Sequence, residues 1–182
     1  MGEKAGGETS EVLGLDNSRY NEYVGLVAKS IQAEIQQAKP FRSVEEEALV
    51  ALQRTADRLQ WRLSEMLKPH GLSPTQYNAL RILRGAGDEG RTCSEIAERM
   101  INRDPDITRL VDRLERRGWV VRKRGGRDRR VIQTCISPKG RELVDSLDGP
   151  VEELNRKMLG HLGEPQLRSL IKLLDSAREK AG

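Results

Sequence analysis

The side chains best suited to chemistry in this sequence are arginines and lysines, and they are concentrated in one segment. From Arg91 to Arg141 the chain has 15 Lys+Arg and 7 Asp+Glu, whereas the remaining residues have 17 Lys+Arg and 21 Asp+Glu. A basic centre between mildly acidic arms is typical of proteins that bind nucleic acids. Charge alone fits a solvated surface equally well, so the spacing of these residues has to distinguish the two interpretations.

Several arginines share one face of a helix that we predict from Asp104-Pro105 to a C-cap at Gly118. At about 100° per residue, its apolar residues fall on a single face, namely Ile107, Leu110, Val111 and Leu114. The opposite face presents Arg109, Asp112, Arg113 and Arg116. Arginines on an exposed helix face can bind guanine edges and phosphates bidentately. The alternative is an ordinary amphipathic helix with surface ion pairs.

A basic loop follows this helix. The segment from Arg122 to Arg130 contains six basic residues and one acidic residue, Asp128, around two central glycines. A loop with this much charge cannot be buried, and the minor groove of DNA is a natural acceptor for its arginines. We expect Asp128 to pair with Arg129 or Arg130 and to stiffen the loop.

Two further helices precede the basic one. Ser73-Pro74-Thr75-Gln76 has the cap, the proline and the glutamine of a helix start, and this helix should reach Arg84 before the glycines that follow. Thr92 and Glu95 repeat the capping-box pattern and open a short helix that ends at Met100. The order is therefore helix, short helix, turn and helix.

A hairpin completes this order. After Gly118, the β-formers Trp119–Val121 and Val131–Ile136 flank the basic loop, which predicts two antiparallel strands. A helix-turn-helix followed by a hairpin is a winged helix-turn-helix domain, which we place at residues 73–136.

Long helices with apolar seams precede and follow this domain. One seam runs through residues 44–66. A second lies in a helix that begins at Ser137-Pro138 and bends at Pro150, and a third lies in the last helix. These seams expose more apolar surface than one small domain can cover, so residues 44–72 and 137–182 are predicted to form a helical dimerisation region. Its seam leucines are Leu49, Leu52, Leu59, Leu147, Leu154, Leu170 and Leu174.

Residues 1–43 form an N-terminal extension with one predicted helix, which ends before Pro40. Its apolar positions are Tyr20, Val24, Val27 and Ile31. The predicted fold class is mainly α with a small β-hairpin wing, in which a winged helix-turn-helix domain is flanked by long dimerisation helices.

These linked motifs resemble the MarR family of winged helix-turn-helix transcriptional regulators. The resemblance covers about Glu45 to Lys180 and rests on Ile107–Gly118, Asp128-Arg129-Arg130 and Ser137-Pro138-Lys139-Gly140. It implies a homodimer whose first and last helices form the interface, with two winged domains on successive major grooves of a pseudo-palindromic operator. The extension at residues 1–43 is longer than the family minimum, and it is either an extra dimer clamp or a cover for an effector cleft.

The resemblance also implies roles for individual residues. Asp106–Arg113 would read the major groove, Arg127 or Arg129 would enter the minor groove, and Asp128 with Arg130 would brace the wing. The full set of residues predicted to bind double-stranded DNA is Asp106, Thr108, Arg109, Arg113, Arg116, Arg117, Arg127 and Arg129.

Members of this family often bind a small aromatic or phenolic effector in a cleft at the end of the first long helix. Trp61, Met66, His70 and Tyr77 cluster around the corresponding turn. The same residues fit a hydrophobic core at the hinge, so both interpretations stay open. The resemblance implies a repressor that a small-molecule effector releases from its operator.

No pattern for an enzyme or a cofactor is found. An enzyme needs a nucleophile with a base, or carboxylates in a dry pocket. His70 and His161 lack neighbouring ligands, so we expect no metal site. Cys93 and Cys135 form neither a zinc pattern nor a disulfide framework. Peroxide sensors of the family have a cysteine in the first long helix, where this chain has none.

The hydropathy pattern argues against membrane insertion. The longest apolar run, Ala48–Leu52, has five residues, whereas a bilayer span needs about 20. The first residues lack the apolar stretch of a signal peptide, so we expect a reducing, cytoplasmic location.

Two other functions stay open on the sequence alone. A winged helix that serves as a protein-interaction module would have an apolar or acidic face, contrary to Arg109, Arg113 and Arg116. An architectural DNA-binding protein without an effector would share the basic face. Proteins that bind single-stranded nucleic acids usually need stacking aromatics, and the basic segment has only Trp119.

Overall fold

A computed structural model of the chain describes residues 29–102, 106–124 and 131–181. It divides into two compact units between Thr55 and Ala56. Its elements are α1 (Ile31–Glu34), α2 (Val44–Leu67), α3 (Pro74–Ala86), α4 (Cys93–Arg99), α5 (Ile107–Arg116), β1 (Val120–Arg124), β2 (Ile132–Ile136), α6 (Pro138–Leu159) and α7 (Gly163–Ala181). The predicted class, a helical protein with one β-hairpin, is confirmed.

The first unit contains α1 and the N-terminal part of α2. Ser30 caps α1 by accepting a hydrogen bond from a backbone N–H of its first turn, at 3.3 Å. Gln36 has a positive φ of 55°, which breaks the helical backbone soon after Glu34. The predicted end before Pro40 is confirmed, whereas the described helix is a single turn that begins after Ser30. The other predicted members, Tyr20, Val24 and Val27, lie outside the described residues.

Hydrogen bonds at helix N-termini confirm two predicted starts in the second unit. The Ser73 hydroxyl accepts the Gln76 N–H at 3.2 Å, while the Gln76 side chain accepts the Ser73 N–H at 3.0 Å. Thr92 and Glu95 form the same reciprocal pair ahead of α4. Each capping box satisfies two backbone donors that the helix itself cannot, so it determines where the helix begins.

Helix α5 begins later than predicted. Its N-cap is Asp106, whose carboxylate accepts the Arg109 N–H at 3.1 Å. The predicted cap, Asp104-Pro105, lies outside the described residues. The predicted end is confirmed, since Gly118 has a φ of 73° and its N–H donates to the carbonyl of Glu115 at 2.8 Å.

One hydrophobic core holds the second unit together. The apolar face of α5 is buried as predicted. It packs in a cluster with residues from the neighbouring elements, among them Leu67, Leu80, Leu83, Ile96, Val120, Val144 and Leu147. Leu147 is therefore not available to a dimer seam, contrary to the prediction, because the first half of α6 packs on α3.

The hairpin is antiparallel, with pairing from Val120–Ile136 to Arg124–Ile132. An isolated bridge that the sequence does not predict extends it. Arg91 and Thr134 exchange backbone hydrogen bonds of 2.9 and 2.8 Å. Gly90 precedes this bridge with a φ of 68°, and an added Cβ would lie 2.5 Å from the Thr134 carbonyl oxygen. A side chain at this position would break the bridge.

Helix α6 begins in close contact with the chain between α5 and β1. The Ser137 hydroxyl accepts the Gly140 N–H at 3.0 Å and donates to the Gly118 carbonyl at 2.6 Å. An added Cβ on Gly140 would lie only 2.1 Å from the Trp119 carbonyl oxygen. Helix α6 continues as one helix through Pro150, the residue at which a bend is predicted.

Two long helices contribute little to this core. Leu67 is the buried residue of the 24-residue α2, and the described residues of α7 include none that is buried. Their exposed apolar side chains are Val44, Leu49, Leu52, Trp61, Ile171 and Leu173. Leu154, Leu170 and Leu174 are half-buried. Such apolar surface on long helices favours association with another chain.

We expect Gly140→Ala to destabilise the protein by about 1–3 kcal/mol, because the new methyl group must displace the Trp119 carbonyl. Gly85 provides the matched control, since it lies in α3 with no atom within 4 Å of its Cβ position. Gly85→Ala should stabilise the protein by about 0.5 kcal/mol through the lower backbone entropy of the unfolded chain. Urea unfolding measures both changes, and equal effects would contradict a steric role for the Trp119 carbonyl.

Candidate nucleic-acid interface

Helix α5 presents a row of arginines to solvent. Its buried face consists of Ile107, Leu110, Val111 and Leu114. Its exposed residues are Thr108, Arg109, Arg113 and Arg116. We call Arg109, Arg113 and Arg116 the arginine stripe, because their three- and four-residue spacing places them on one side of the helix. The amphipathic arrangement predicted from the sequence is confirmed.

Asp106 positions the first arginine of the stripe. One carboxylate oxygen accepts the Arg109 N–H, and the other lies 2.9 Å from the Arg109 Nε. The Arg109 side chain is nevertheless 82% exposed. In the structure the two carboxylate oxygens of Asp106 cap α5 and hold Arg109 beside the cap, and a contact of Asp106 with DNA stays a prediction.

The other two arginines of the stripe lie along the helix surface. The Nε of Arg113 donates to the Arg109 carbonyl at 3.2 Å, and the Nε of Arg116 donates to the Asp112 carbonyl at 3.4 Å. These bonds hold each stem against the preceding turn of α5. The two guanidinium groups are therefore kept about one turn apart on the exposed side.

An ion-pair cluster joins α5 to the hairpin. Arg122 of β1 donates from Nη1 to Glu115 at 2.8 Å and from Nη2 to Asp112 at 2.5 Å. The hydrogen bond to Asp112 raises the pKa of Arg122 above its ordinary value. The guanidinium is thus a permanent cation shared between two carboxylates.

This cluster corrects two predictions. Asp112 is half-buried and does not belong to the exposed stripe. Arg122 is not one of the uncompensated charges of the basic loop. The physical reason is the strand period of two, which places Arg122 on the same side of β1 as the buried Val120 and so brings it over α5.

Arg117, which the sequence predicts to contact DNA, has two contacts within the protein. Its Nη1 donates to the carbonyl of Gly71 at 2.9 Å, and its guanidinium carbon lies 4.9 Å from the centroid of the Trp119 ring. Arg117 follows the last helical residue, at the point where the chain turns towards the buried Trp119. Its side chain therefore turns back onto the protein and is not part of the stripe.

The tip of the predicted wing lies outside the described residues. This applies to Arg127 and Arg129 as minor-groove residues and to Asp128 and Arg130 as the brace, all of which stay predictions. In the described stem, Lys123 and Arg124 are exposed on β1. The stem therefore carries exposed cations next to the strand position that is tied to α5.

The structure does not bring all four predicted effector residues to one cavity. Tyr77 is buried in the core and Met66 packs against it. Trp61 is 54% exposed, with the Arg62 guanidinium 5.2 Å from its ring centroid. His70 is exposed in the short turn after α2. Tyr77 also lines a cavity in the described second unit, and the other three do not line that cavity.

That cavity is small, about 40 Å³, and is open to solvent. Its lining combines apolar and polar side chains, including Leu63, Tyr77, Asn78, Arg81 and Met100. Asn78 is a residue that sequence reasoning missed: its Oδ1 accepts the N–H of Ile101 at 2.9 Å and ties α3 to the turn before α5. The two residues are 23 positions apart and neither belongs to a motif, so no local signal identifies the contact.

The described residues contain no group of three or more His, Cys, Asp or Glu side chains that could hold a metal ion. Cys93, the first residue of α4, and the buried Cys135 are free thiols. Within the same described ranges, every helix is too short or too polar to cross a membrane.

Comparison with known proteins gives consistent matches. A family model described as "MarR family" matches residues 70–131. The chain is 32% identical over 110 residues to the HTH-type transcriptional regulator YwoH of Bacillus subtilis (strain 168), which covers 59% of this chain and 72% of that protein. It is 26% identical to the transcriptional repressor MprA of Escherichia coli (strain K12), over 71% of this chain and 89% of MprA. A 30% identical match to B. subtilis YkoM spans about half of YkoM, 51%.

Solved structures show the same similarity. A crystal structure of a MarR transcription factor from Planctomyces limnophilus has a TM-score of 0.57 and 40% identity, and the match covers 75% of this chain and 98% of that chain. The structure of CouR from Rhodococcus jostii RHA1 bound to p-coumaroyl-CoA has a TM-score of 0.65 and 25% identity, over 75% of this chain and 95% of that chain. The matches therefore extend along nearly the whole length of these two solved structures and three quarters of this chain.

We expect a double-mutant cycle of Arg122→Met and Asp112→Asn to give a coupling energy of about 1 kcal/mol, because the pair is only partly exposed and shares one guanidinium. Unfolding in urea at low and high salt measures it. Arg124→Met is the control on the same strand, and it should change stability by less than about 0.5 kcal/mol. A coupling energy of zero would show that the cluster does not join α5 to the hairpin.

Proposed function

The chain belongs to the MarR family of transcriptional regulators, and on that premise we propose that it binds double-stranded DNA as a homodimer. The observation that carries the proposal is the arginine stripe of α5, which lies opposite a buried face. In this function α5 is the recognition helix in the major groove, and the hairpin is the wing beside it.

The spacing of the stripe suits this role. Arg109 and Arg113 are four residues apart, which is about 6 Å along the helix axis. Bases on one strand follow each other at about 3.4 Å, so the two side chains can reach positions about two base steps apart. Arg116, closer to the C-terminal end of α5, is proposed to contact phosphates.

The wing is proposed to contact the adjacent minor groove. The exposed cations of its stem, Lys123 and Arg124, support this placement. Arg127 and Arg129 are proposed as the minor-groove side chains, with Asp128 and Arg130 as their brace. A basic hairpin fits the strong negative potential of a narrow minor groove.

Dimerisation is proposed through α2 and α7. Both helices expose apolar side chains that the described core does not cover. A second copy would cover them by the same surface on both subunits. Two recognition helices related by a two-fold axis would then read a pseudo-palindromic operator.

Regulation by a small molecule is the last part of the proposal. CouR is named as bound to p-coumaroyl-CoA, and MprA is named as a repressor. Here the cavity at Tyr77, Asn78 and Arg81 offers an aromatic ring, an amide and a cation. Since Asn78 also holds Ile101 ahead of α5, we propose that a small aromatic or phenolic effector widens this cavity on binding and so releases the protein from its operator. A repressor of this kind works in the cytoplasm.

Selection of bound duplexes from a random DNA pool at about 0.15 M salt tests the proposal. A two-fold symmetric consensus is expected. An asymmetric consensus would contradict the homodimer, whereas binding without any consensus would favour an architectural protein. Absence of duplex binding would favour a protein-interaction module.

Arg109→Ala and Arg113→Ala should each weaken binding to the selected operator by about 1–3 kcal/mol, with a much smaller loss on scrambled duplex, where only phosphate contacts remain. Arg116→Ala should weaken binding to both duplexes about equally. Titrations at two salt concentrations measure these losses. Equal losses on both duplexes for Arg109 and Arg113 would assign them to the phosphate backbone.

Ile171→Glu should convert the dimer into a monomer, because it places a carboxylate in the proposed apolar interface. Ile171 is exposed in the single chain, so the substitution should leave the fold intact, which circular dichroism checks. Ser169→Glu is the control, since it adds the same carboxylate on another side of α7. Sedimentation at micromolar concentration should show twice the 20.5 kDa chain mass for the parent and the control. A monomeric parent protein would overturn the dimer proposal.

A further inference from the structure

We infer that Arg117 is a positioning residue, which ties the C-terminal end of the recognition helix to the corner between α2 and α3 and so sets the direction in which the arginine stripe faces DNA. The inference rests on the proposed function, because positioning has a measurable effect only if α5 binds DNA. It assigns Arg117 no contact with DNA.

The first observation is the pair of contacts made by the Arg117 guanidinium. It donates to the Gly71 carbonyl at 2.9 Å and stacks on Trp119 at 4.9 Å. Gly71 has a φ of 68°, and an added Cβ there would lie 2.7 Å from the Arg117 Nη1. The corner therefore leaves room for the guanidinium. A planar guanidinium can donate and stack at the same time, whereas the ammonium of lysine cannot stack in this way.

The second observation concerns the other contacts of the C-terminal end of α5, which are made by the start of α6. The Lys139 Nζ donates to the Arg117 carbonyl at 3.3 Å, and the Ser137 hydroxyl donates to the Gly118 carbonyl at 2.6 Å. Both bonds come from the start of α6 and fix the end of α5 against that helix. Among the side-chain contacts that the described residues make at this end of α5, the one with the α2–α3 corner is made by Arg117.

Because of the length of α5, a small tilt at its Arg117 end displaces the arginine stripe at the other end. Arg109 lies about 12 Å from Arg117 along the helix axis, at 1.5 Å per residue. A tilt of about 10° at the anchored end would therefore move Arg109 by about 2 Å. Hydrogen bonds to base edges tolerate only a few tenths of an ångström before they weaken, so loss of the anchor should reduce base reading in particular.

The competing assignment is a direct phosphate contact by Arg117, and the salt dependence of binding separates the two. A phosphate contact contributes about one unit to the slope of log K against log salt, and any cation at that position preserves most of it. A positioning residue contributes nothing to the slope, and it requires the guanidinium itself.

The test compares Arg117→Lys and Arg117→Gln with Arg116→Gln, using the full-length protein and the selected operator at several salt concentrations. We expect both Arg117 variants to lose about tenfold in operator affinity, as for one weakened base contact, with an unchanged salt slope and a smaller loss on scrambled duplex. Arg116→Gln should lower the salt slope by about one unit. Lys157→Gln is the control, since it removes the same charge at a distant position. Lys157 lies about 27 Å along α6 from Lys139, the residue that contacts the Arg117 carbonyl.

A second readout needs no DNA. In a Trp61→Phe background Trp119 is the single tryptophan, so its emission reports whether a guanidinium stacks on it. Both Arg117 variants should change this emission, and Arg116→Gln should not. The thermal stability of each variant is measured alongside, and Arg117→Lys is the variant to use if Arg117→Gln does not fold.

Three results would overturn the inference. The first is parental affinity for Arg117→Lys together with a lower salt slope for Arg117→Gln, which indicates a phosphate contact. The second is unchanged Trp119 emission in both variants. The third is lower thermal stability with parental operator affinity, which indicates a structural role only. If the Arg109 and Arg113 variants also bind operator like the parent protein, the proposed function fails instead, and the two failures are distinguishable.

Discussion

Burial of four aliphatic side chains on α5 is the constraint on which the candidate interface depends. A ten-residue helix is too short to be stable in water on its own, so α5 forms because Ile107, Leu110, Val111 and Leu114 join the core. Each such side chain contributes about 1.5–3 kcal/mol when fully buried. Because the helical period couples the two faces, the burial that stabilises α5 also directs the arginine stripe to solvent.

The cations around this helix have different roles, although the sequence presents them as one basic segment. Arg122 is shared between two carboxylates, Arg117 is held by a carbonyl and an indole, and Arg109 shares Asp106 with the helix cap. Arg122 and Arg117 are therefore less available to an incoming polyanion than the count of basic residues suggests, whereas Arg109 stays exposed. The acidic residues of α5 hold some arginines in place, so they are compatible with a surface that attracts DNA.

Local patterns made most of the fold predictable. The capping boxes at Ser73 and Thr92, the buried face of α5 and the two antiparallel strands of the hairpin all depend on residues close in sequence. The end of α2 near Pro69 and the end of α5 at Gly118 likewise depend on residues that are close in sequence. In each case one or two neighbouring residues determine the backbone, so spacing alone identifies the element.

The remaining features depend on contacts between distant residues. Arg117 and Gly71 are 46 positions apart, and Arg91 pairs with Thr134 across 43 positions. Leu147 is periodic in the same way as the exposed seam residues, and only the packing of α6 on α3 shows that it is buried. The effector residues were grouped by proximity in sequence, but Trp61 and His70 have exposed positions while Tyr77 lies in the core. Sequence spacing cannot show which side of a turn faces the protein.

The hairpin leaves one strand edge uncovered, and its composition has a consequence for solubility. Within the described ranges β1 pairs only with β2, whose other edge receives the bridge from Arg91. An unpaired edge can recruit a strand from another molecule and start aggregation, and lysines and arginines are a common protection against this. The two exposed cations in β1, Lys123 and Arg124, protect its edge in this way. Neutralising them would leave a short strand with exposed Val121 open to β-sheet pairing between molecules, so the charge of this strand preserves the dispersed state of the protein even when no DNA is present.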